Sequence, residues 1–531
     1  MAFCGDACRV HKGVLCLLIL ACSSFLSLEA SAQDKDRQQL EDALFGAELE
    51  SDSTDSSRQS LEDDLFGSHE EDEDTADTSS PLVSSEQGAT QRIREALLEA
   101  DDELAIGGFL FMQLNQSRSS GDTFKDTSIS APNLFDLYLD ARPSNRVRAF
   151  VSGRLLYDYT IDDTDGGTLL GQGSSQSFLA PGVSTSEPLQ AQLAQLWLKF
   201  DLWRKVYVTL GRQRVRWGSG RFWNPTDFLN QSQINPIALF DQRLGVDMIK
   251  AHLPVEALGW NFYAVATLGS ASSFQEVGGA LRGEFILFNG ELATSVSARR
   301  QVVSGPTALE PFYTPSGSWP SEGTPLRLGL DYSRGVGPFE LRVEAAFVRG
   351  EQKPFYRGSL NLDLAELEFP EDYTRKDEWL AQVVVSSDLT LTYAEDETLI
   401  LAAEYFYNQQ GYSSSDLYLW LALQQGLTPL YLGRHYGAVA AVIPSPGSWN
   451  NTSFTASVLG NLSDGSFLSR LDWSYALFSD LRINAYVMKF FGNTGEFNFR
   501  VSIPAIPGQT DAPVEFAAPS LSTGVGLRAS F

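Results

Sequence analysis

From residue 104 to its end the chain repeats with a period of two, and its polar face is as regular as its apolar one. In the last stretch Leu521, Thr523, Val525, Leu527, Ala529 and Phe531 alternate with Ser522, Gly524, Gly526, Arg528 and Ser530. Successive side chains of a strand point to opposite faces, so one face here is apolar and the other small or polar. Leu326, Leu328, Leu330 and Tyr332 oppose Arg327 and Asp331 in the same way, and Leu341, Val343, Ala345 and Phe347 oppose Arg342 and Glu344. Leu399, Leu401, Ala403 and Tyr405 oppose Glu404, while Leu471, Trp473 and Tyr475 oppose Arg470 and Asp472. A soluble sandwich shares the period but rarely sets Arg and Glu together on one face of strand after strand. Apolar side chains facing lipid around a polar lumen describe a transmembrane β-barrel. Beyond the leader no apolar run reaches 18 residues, which excludes a helical membrane protein.

Eighteen strands can be placed, centred near residues 110, 137, 152, 195, 210, 249, 263, 284, 295, 330, 343, 383, 403, 439, 457, 471, 487 and 526, with 16 as the next lower even count. Their connections alternate between long (116–132, 159–188, 215–245, 269–279, 300–325, 349–377, 409–434) and short (141–146, 201–205, 254–258, 288–290, 333–338, 393–398). One outer hairpin, 463–465, is short, and the last link, 492–521, is long again. Short periplasmic turns and long outer loops are the rule for such barrels. The expected fold is therefore an all-β, antiparallel up-and-down barrel over 104–531, with both ends in the periplasm. A 22-stranded transporter with a folded plug would need a longer chain.

The segment before the barrel differs in kind. Residues 1–32 read as a secretory signal with basic Arg9, His11 and Lys12, an apolar core and Ala30-Ser31-Ala32 as cleavage site; acylation of Cys22 is the rival. All four cysteines (Cys4, Cys8, Cys16, Cys22) fall within it. Residues 33–103 hold 23 acidic and 5 basic residues, a net of -18 out of -28 for the chain. Residues 33–90 read as a disordered periplasmic tether, and 91–103 as a short amphipathic helix. The acidic balance argues against a nucleic-acid partner. Within the tether Arg37-Gln-Gln-Leu-Glu-Asp-Ala-Leu-Phe-Gly46 is echoed by Arg58-Gln-Ser-Leu-Glu-Asp-Asp-Leu-Phe-Gly67. Leu40, Leu44 and Phe45, and again Leu61, Leu65 and Phe66, would form the apolar face of a short helix that folds into a periplasmic partner's groove; a harmless duplication is the alternative.

The run Leu210-Gly-Arg-Gln-Arg-Val-Arg-Trp-Gly-Ser-Gly-Arg-Phe-Trp-Asn-Pro-Thr-Asp-Phe-Leu-Asn230 lies between the fifth and sixth strands. Its Gly-Arg-Gln, Trp-Gly and Asn-Pro-x-Asp elements resemble a segment of a group of outer-membrane porin-like proteins, over about 20 residues. Phe531, closing the last strand, resembles the C-terminal assembly signature of bacterial outer-membrane barrels, which implies recognition by barrel-assembly machinery. Arg212, Arg214 and Arg216 share parity with Val206, Val208 and Leu210. A regular strand would push them into lipid at about 2–4 kcal/mol each, so a bulge near Gly211, or an exit from the bilayer by Arg212, is expected.

Arg212, Arg214, Arg216, Arg221 and Asp227 are then candidates for a basic constriction folded into the lumen. Arginines that brace the loop against lumenal acids, and a loop turned outward, are the other readings. Arg148, Arg154, Arg327, Arg342, Arg470 and Arg528 with Glu291, Asp331, Glu344, Glu404 and Asp472 are expected to line the lumen as mixed charges. No apolar route is visible in the lumenal faces.

Neither a metal site nor a cofactor is expected; Asp162, Asp163 and Asp165 make only half of a calcium loop. His252 and His435 fall at opposite ends of their strands, so no paired catalytic site is expected, although His435 could work with Asp416 or Ser413–Ser415. A passive channel for small polar or charged solutes, in outer-membrane lipid and open as to homo-oligomers, is the leading expectation. An outer-membrane station of an envelope transport or assembly machine, recruited through the doubled motif, is the second.

Overall fold

The computed structural model describes residues 104–531 except 120–126, 162–187, 231–234, 239–242, 270–275, 309–312, 362–366, 394–396, 425 and 504–513. The leader, the doubled motif (Leu40, Leu44, Phe45, Leu61, Leu65, Phe66), the helix 91–103 and the acidic run from Asp162 lie outside the described residues. Eighteen strands form the wall. They are β1 Leu104–Arg118, β2 Pro132–Ser144, β3 Val147–Asp158, β4 Leu189–Leu202, β5 Val206–Gln213, β6 Val246–Val255, β7 Trp260–Thr267, β8 Gly278–Leu287 and β9 Gly290–Ala298. The second half runs β10 Leu326–Val336, β11 Phe339–Arg349, β12 Trp379–Thr392, β13 Thr398–Asn408, β14 His435–Pro444, β15 Thr452–Asn461, β16 Ser466–Phe478, β17 Leu481–Gly492 and β18 Leu521–Ser530. Ser128–Ser130 continues β2 across Ala131 in the same register against β1.

Every strand pairs antiparallel with its sequence neighbours, and β18 pairs with β1 from Phe109↔Ser530 to Arg118↔Leu521. The sheet therefore closes and leaves no unpaired edge. At the seam Gly108 and Phe531 exchange both backbone hydrogen bonds at 3.0 Å, and the Phe531 ring lies 6.0 Å from that of Phe135. The turns at 145–146, 203–205, 256–259, 288–289, 337–338 and 479–480 gather at the end of the barrel that holds Leu104 and Phe531. The long connections gather at the other. Strand number and loop alternation both match what the alternating pattern predicts.

The faces divide by parity. Leu110, Leu137, Leu155, Leu328, Val343 and Val525 point outward and are exposed, whereas Gln113, Asp136, Arg154, Asp331, Glu344 and Ser522 point inward and are buried. Apolar side chains facing out are stable only against lipid, which makes this a transmembrane barrel. One expectation is corrected. Gly211 carries no bulge: the ladder runs unbroken through Trp197↔Gly211↔Met248 and Leu196↔Arg212↔Asp247. The extra residue sits one strand earlier, at Ala194, where pairing steps from Ser152↔Gln195 to Gly153↔Leu193.

Candidate functional site

The described residues between β5 and β6, chiefly 214–230, leave the wall at the long-loop end and fold across the lumen. The Trp-Gly-Ser-Gly run permits the approach. A Cβ on Gly220 would stand 1.9 Å from the Trp223 carbonyl oxygen, and one on Gly218 would stand 2.8 Å from both carboxylate oxygens of Glu344. Only a bare backbone fits there. Glu344 of β11 accepts the N–H groups of Ser219 (3.0 Å), Gly220 (3.0 Å) and Thr226 (2.7 Å), and the Thr226 hydroxyl lies 2.8 Å away. Glu404 of β13 accepts those of Arg221 (2.7 Å), Phe222 (3.0 Å) and Trp223 (2.8 Å). Two wall carboxylates thus fill two concavities of converging backbone donors, the usual way such turns hold an anion. Arg221 adds a 2.6 Å ion pair to Asp388 of β12, which also takes Arg342 at 2.9 Å.

Apolar packing completes the clamp. Trp223 is fully buried, its ring 5.6 Å from Phe406 and 5.5 Å from Tyr436, and its indole N–H donates to the Leu430 carbonyl at 3.0 Å. Phe222, Trp223 and Ile237 join Phe406, Leu459, Leu468, Met488 and Phe490 in one core inside the barrel. On the near side Trp217 and Leu229 pack on Met248, Val265 and Ala280. The alternating pattern shows no apolar route along the lumenal faces; from β13 to β17 they carry an apolar strip, and the loop fills it. The strip escapes a parity reading because outward neighbours such as Leu401, Val458 and Val487 are apolar too.

The five loop candidates part company. Arg212 shares the outward face with Leu196 and pairs with Asp247 at 2.8 Å, so it stands outside the lumen. The parity that carries Leu210 outward carries it outward as well, and the pairing with Asp247 is the last rung but one at the long-loop ends of β5 and β6. Arg214 donates to the Arg243 carbonyl (2.9 Å). Arg221 braces the wall through Asp388. Asp227 pairs with Arg243 (2.8 Å) and accepts from Asn230 (2.8 Å); burial raises its carboxyl, and Arg243 and Asn230 act against that rise. Arg216 is exposed, donates to the Gly220 carbonyl (3.0 Å) and has no acidic partner among the described residues. Of the five, it alone is exposed.

The wall candidates Arg148, Arg154, Glu291, Arg327, Asp331, Arg342, Glu344, Glu404, Arg470, Asp472 and Arg528 stand on the inward parity of their strands. Asp331, Arg342, Glu344 and Glu404 are buried beneath the loop, so they anchor it rather than line open water. Arg154 pairs with Asp136 (2.6 Å) and Arg148 with Asp140 (2.9 Å) on the opposite arc. Arg470 bonds Asp472 and the Ile237 carbonyl, tying the loop to β16. Asp388, Thr226, Arg243, Arg282 and Asp247 went unnoticed in the sequence. Asp388 follows Val383-Val384-Val385, a continuous apolar run that blurs which face is which.

The loops at the long-loop end add a latch. Glu496 accepts the Leu430 N–H, the Tyr436 hydroxyl (2.6 Å) and the Asn461 amide (2.9 Å), while its own N–H donates to Asp464. Leu430 is also the residue whose carbonyl holds Trp223. Burial pushes the Glu496 carboxyl up to about 7 from 4.5; Tyr436, Leu430 and Asn461 restrain the rise and Asp464 adds to it. A carboxyl raised on folding contributes stability fully below the unfolded value and loses it as pH climbs through the folded one. The latch should therefore loosen between about pH 4.5 and 7, by at most about 1.4 kcal/mol per pH unit. Protease cleavage within 409–434, timed at several pH values, should speed up across that window, and Glu496→Gln should flatten the curve.

His252 stacks on Tyr263 (4.5 Å) near the short-turn end, and His435 bonds the Tyr405 hydroxyl (2.7 Å) at the long-loop end. Asp416 accepts from the Ser414 hydroxyl at 2.8 Å.

Among solved structures, the chain is similar to a BenF-like porin from Pseudomonas fluorescens Pf-5 (10% identity, 81% of this chain and 98% of that one, TM-score 0.44). It is also similar to the outer membrane protein opdK from Pseudomonas aeruginosa (9%, 81% and 99%, TM-score 0.42). OprB from Pseudomonas putida matches at 12% identity over 86% of this chain and all of that one, TM-score 0.41. No protein-family model matches the chain, and no curated protein matches it.

Proposed function

We propose that this chain is a porin-like channel of a bacterial outer membrane that passes small polar or charged solutes by diffusion, with both barrel ends in the periplasm. The observation that carries the reading is the segment 214–230, folded inward and fastened to Glu344 and Glu404 on the far wall. A loop held this way narrows a wide barrel and presents Arg216 to whatever passes, which is how fixed side chains set ionic preference. Nothing in this reading needs a covalent step or a cofactor. Refolded protein in a planar bilayer should give steady ohmic openings. Under a salt gradient, Arg216→Glu should shift the reversal potential toward cation preference. Silence of the full chain would remove the channel reading; openings with an unmoved reversal potential would remove Arg216 from it.

A second reading is favoured by the doubled Leu-Phe-Gly motif. In it, the tether recruits a periplasmic partner, making the barrel one station of an envelope machine. A peptide of residues 33–70 that captures one periplasmic protein, and loses it on Leu44→Ala/Phe45→Ala with Leu65→Ala/Phe66→Ala, is the expected result; no specific capture would end that reading.

A further inference from the structure

Two arginines face each other at the short-turn end of the lumen. Arg482 of β17 and Arg528 of β18 are direct partners in the ladder, on the inward face shared with Ser522, Gly524 and Gly526. Like charges directly opposite across a strand pair repel. Neither guanidinium forms an ion pair or hydrogen bond with an acid among the described residues. Asp136, the acid whose charge reaches Arg528, is bound by Arg154 at 2.6 Å. The Arg528 Nε is buried without a partner, and its guanidinium stacks 4.3 Å from the centre of the Phe109 ring. That contact orients the group but satisfies none of its donors. Arg482 is exposed to the lumen.

A repulsive pair with an orphaned buried donor is what a site looks like when its counter-ion is a ligand. Guanidinium forks take carboxylate or phosphate oxygens in pairs, and two forks on adjacent strands can grip one such group from two sides. We propose that Arg482 and Arg528 form an oxyanion station at the inner end of the lumen, which takes the carboxylate or phosphate of a passing solute. The proposal rests on the channel reading and names its solute class: small organic or inorganic anions. Phe109 supplies the aromatic face that holds Arg528 in place, and Arg154 keeps Asp136 from neutralising the pair.

The test separates the station from the channel. Inorganic phosphate and, in parallel, succinate are titrated calorimetrically into the full-length protein refolded in detergent, without any membrane. Arg482→Gln/Arg528→Gln should weaken binding of the preferred anion at least about tenfold, equivalent to 1.4 kcal/mol, whereas Arg528→Lys should keep part of it. Phosphate alone would point to phosphorylated solutes, and succinate alone to carboxylates. Equal binding by the double variant and the native chain would overturn the station, as would no binding of either anion. Heat-modified gel migration checks folding, and Arg482→Gln alone serves if the double variant does not fold. Anion binding by a chain that never conducts would leave the station standing and defeat the channel; conduction with binding indifferent to both arginines would do the reverse.

Discussion

Removing both wall carboxylates, Glu344→Ala with Glu404→Ala, should free the loop 214–230 from the far wall and raise single-channel conductance together with its noise. The native carboxylates satisfy the N–H groups of Ser219, Gly220, Thr226, Arg221, Phe222 and Trp223. Each donor orphaned in a buried setting costs about 1–3 kcal/mol, which the variant can avoid only by moving the loop into water. The barrel wall does not depend on these contacts, so heat-modified migration should persist while protease begins to cut near Ser219. Glu344→Gln and Glu404→Gln keep the shape and an acceptor oxygen and should show a weaker form of the same change. Unchanged conductance in the double alanine variant, with the loop still protected from protease, would show that packing alone holds the loop.

Trp223→Ala tests that packing directly. The side chain is fully enclosed by Phe406, Tyr436 and Phe222, and its removal should cost about 3–5 kcal/mol, read as a lower urea midpoint for the loop's protection. It also orphans the Leu430 carbonyl and so unfastens the latch under Glu496. Trp223→Phe fills most of the volume without the indole N–H and should lose a smaller part, separating the packing from the hydrogen bond. A Trp223→Ala protein with native protection would show that the two carboxylates suffice.

The wall was legible in the sequence because lipid outside and water inside impose opposite demands on alternate residues, strand after strand. Leu328 beside Arg327, or Val343 beside Glu344, betrays both faces at once. Loop length then gave the topology. What alternation could not show is the third layer, the loop inside the barrel. Once it lies there, some inward residues face protein rather than water: Glu344 is a clamp and Phe406 a packing surface, although both look alike in parity. Arg212 shows the converse. A charge on the lipid-facing parity reads as a break in the strand, yet an acid directly across the ladder, Asp247, lets the strand continue. Pairings of that kind depend on register, and register is settled by the closed sheet as a whole.

The clamps also bear on how such a barrel is made. Ser219 meets Glu344 across 125 residues of chain, Arg221 meets Glu404 across 183, and Ile237 meets Arg470 across 233. Contacts so distant in sequence form slowly, because the intervening chain must be ordered first. The loop leaves β5 long before its anchors are in place, so the interior is finished last. A barrel stalled with only its first ten strands paired would lack Glu344 and Glu404, leaving the N–H groups of Ser219 to Trp223 without their acceptors. Protease sensitivity at Ser219 is therefore a clock for assembly, distinguishing a half-built wall from a completed one.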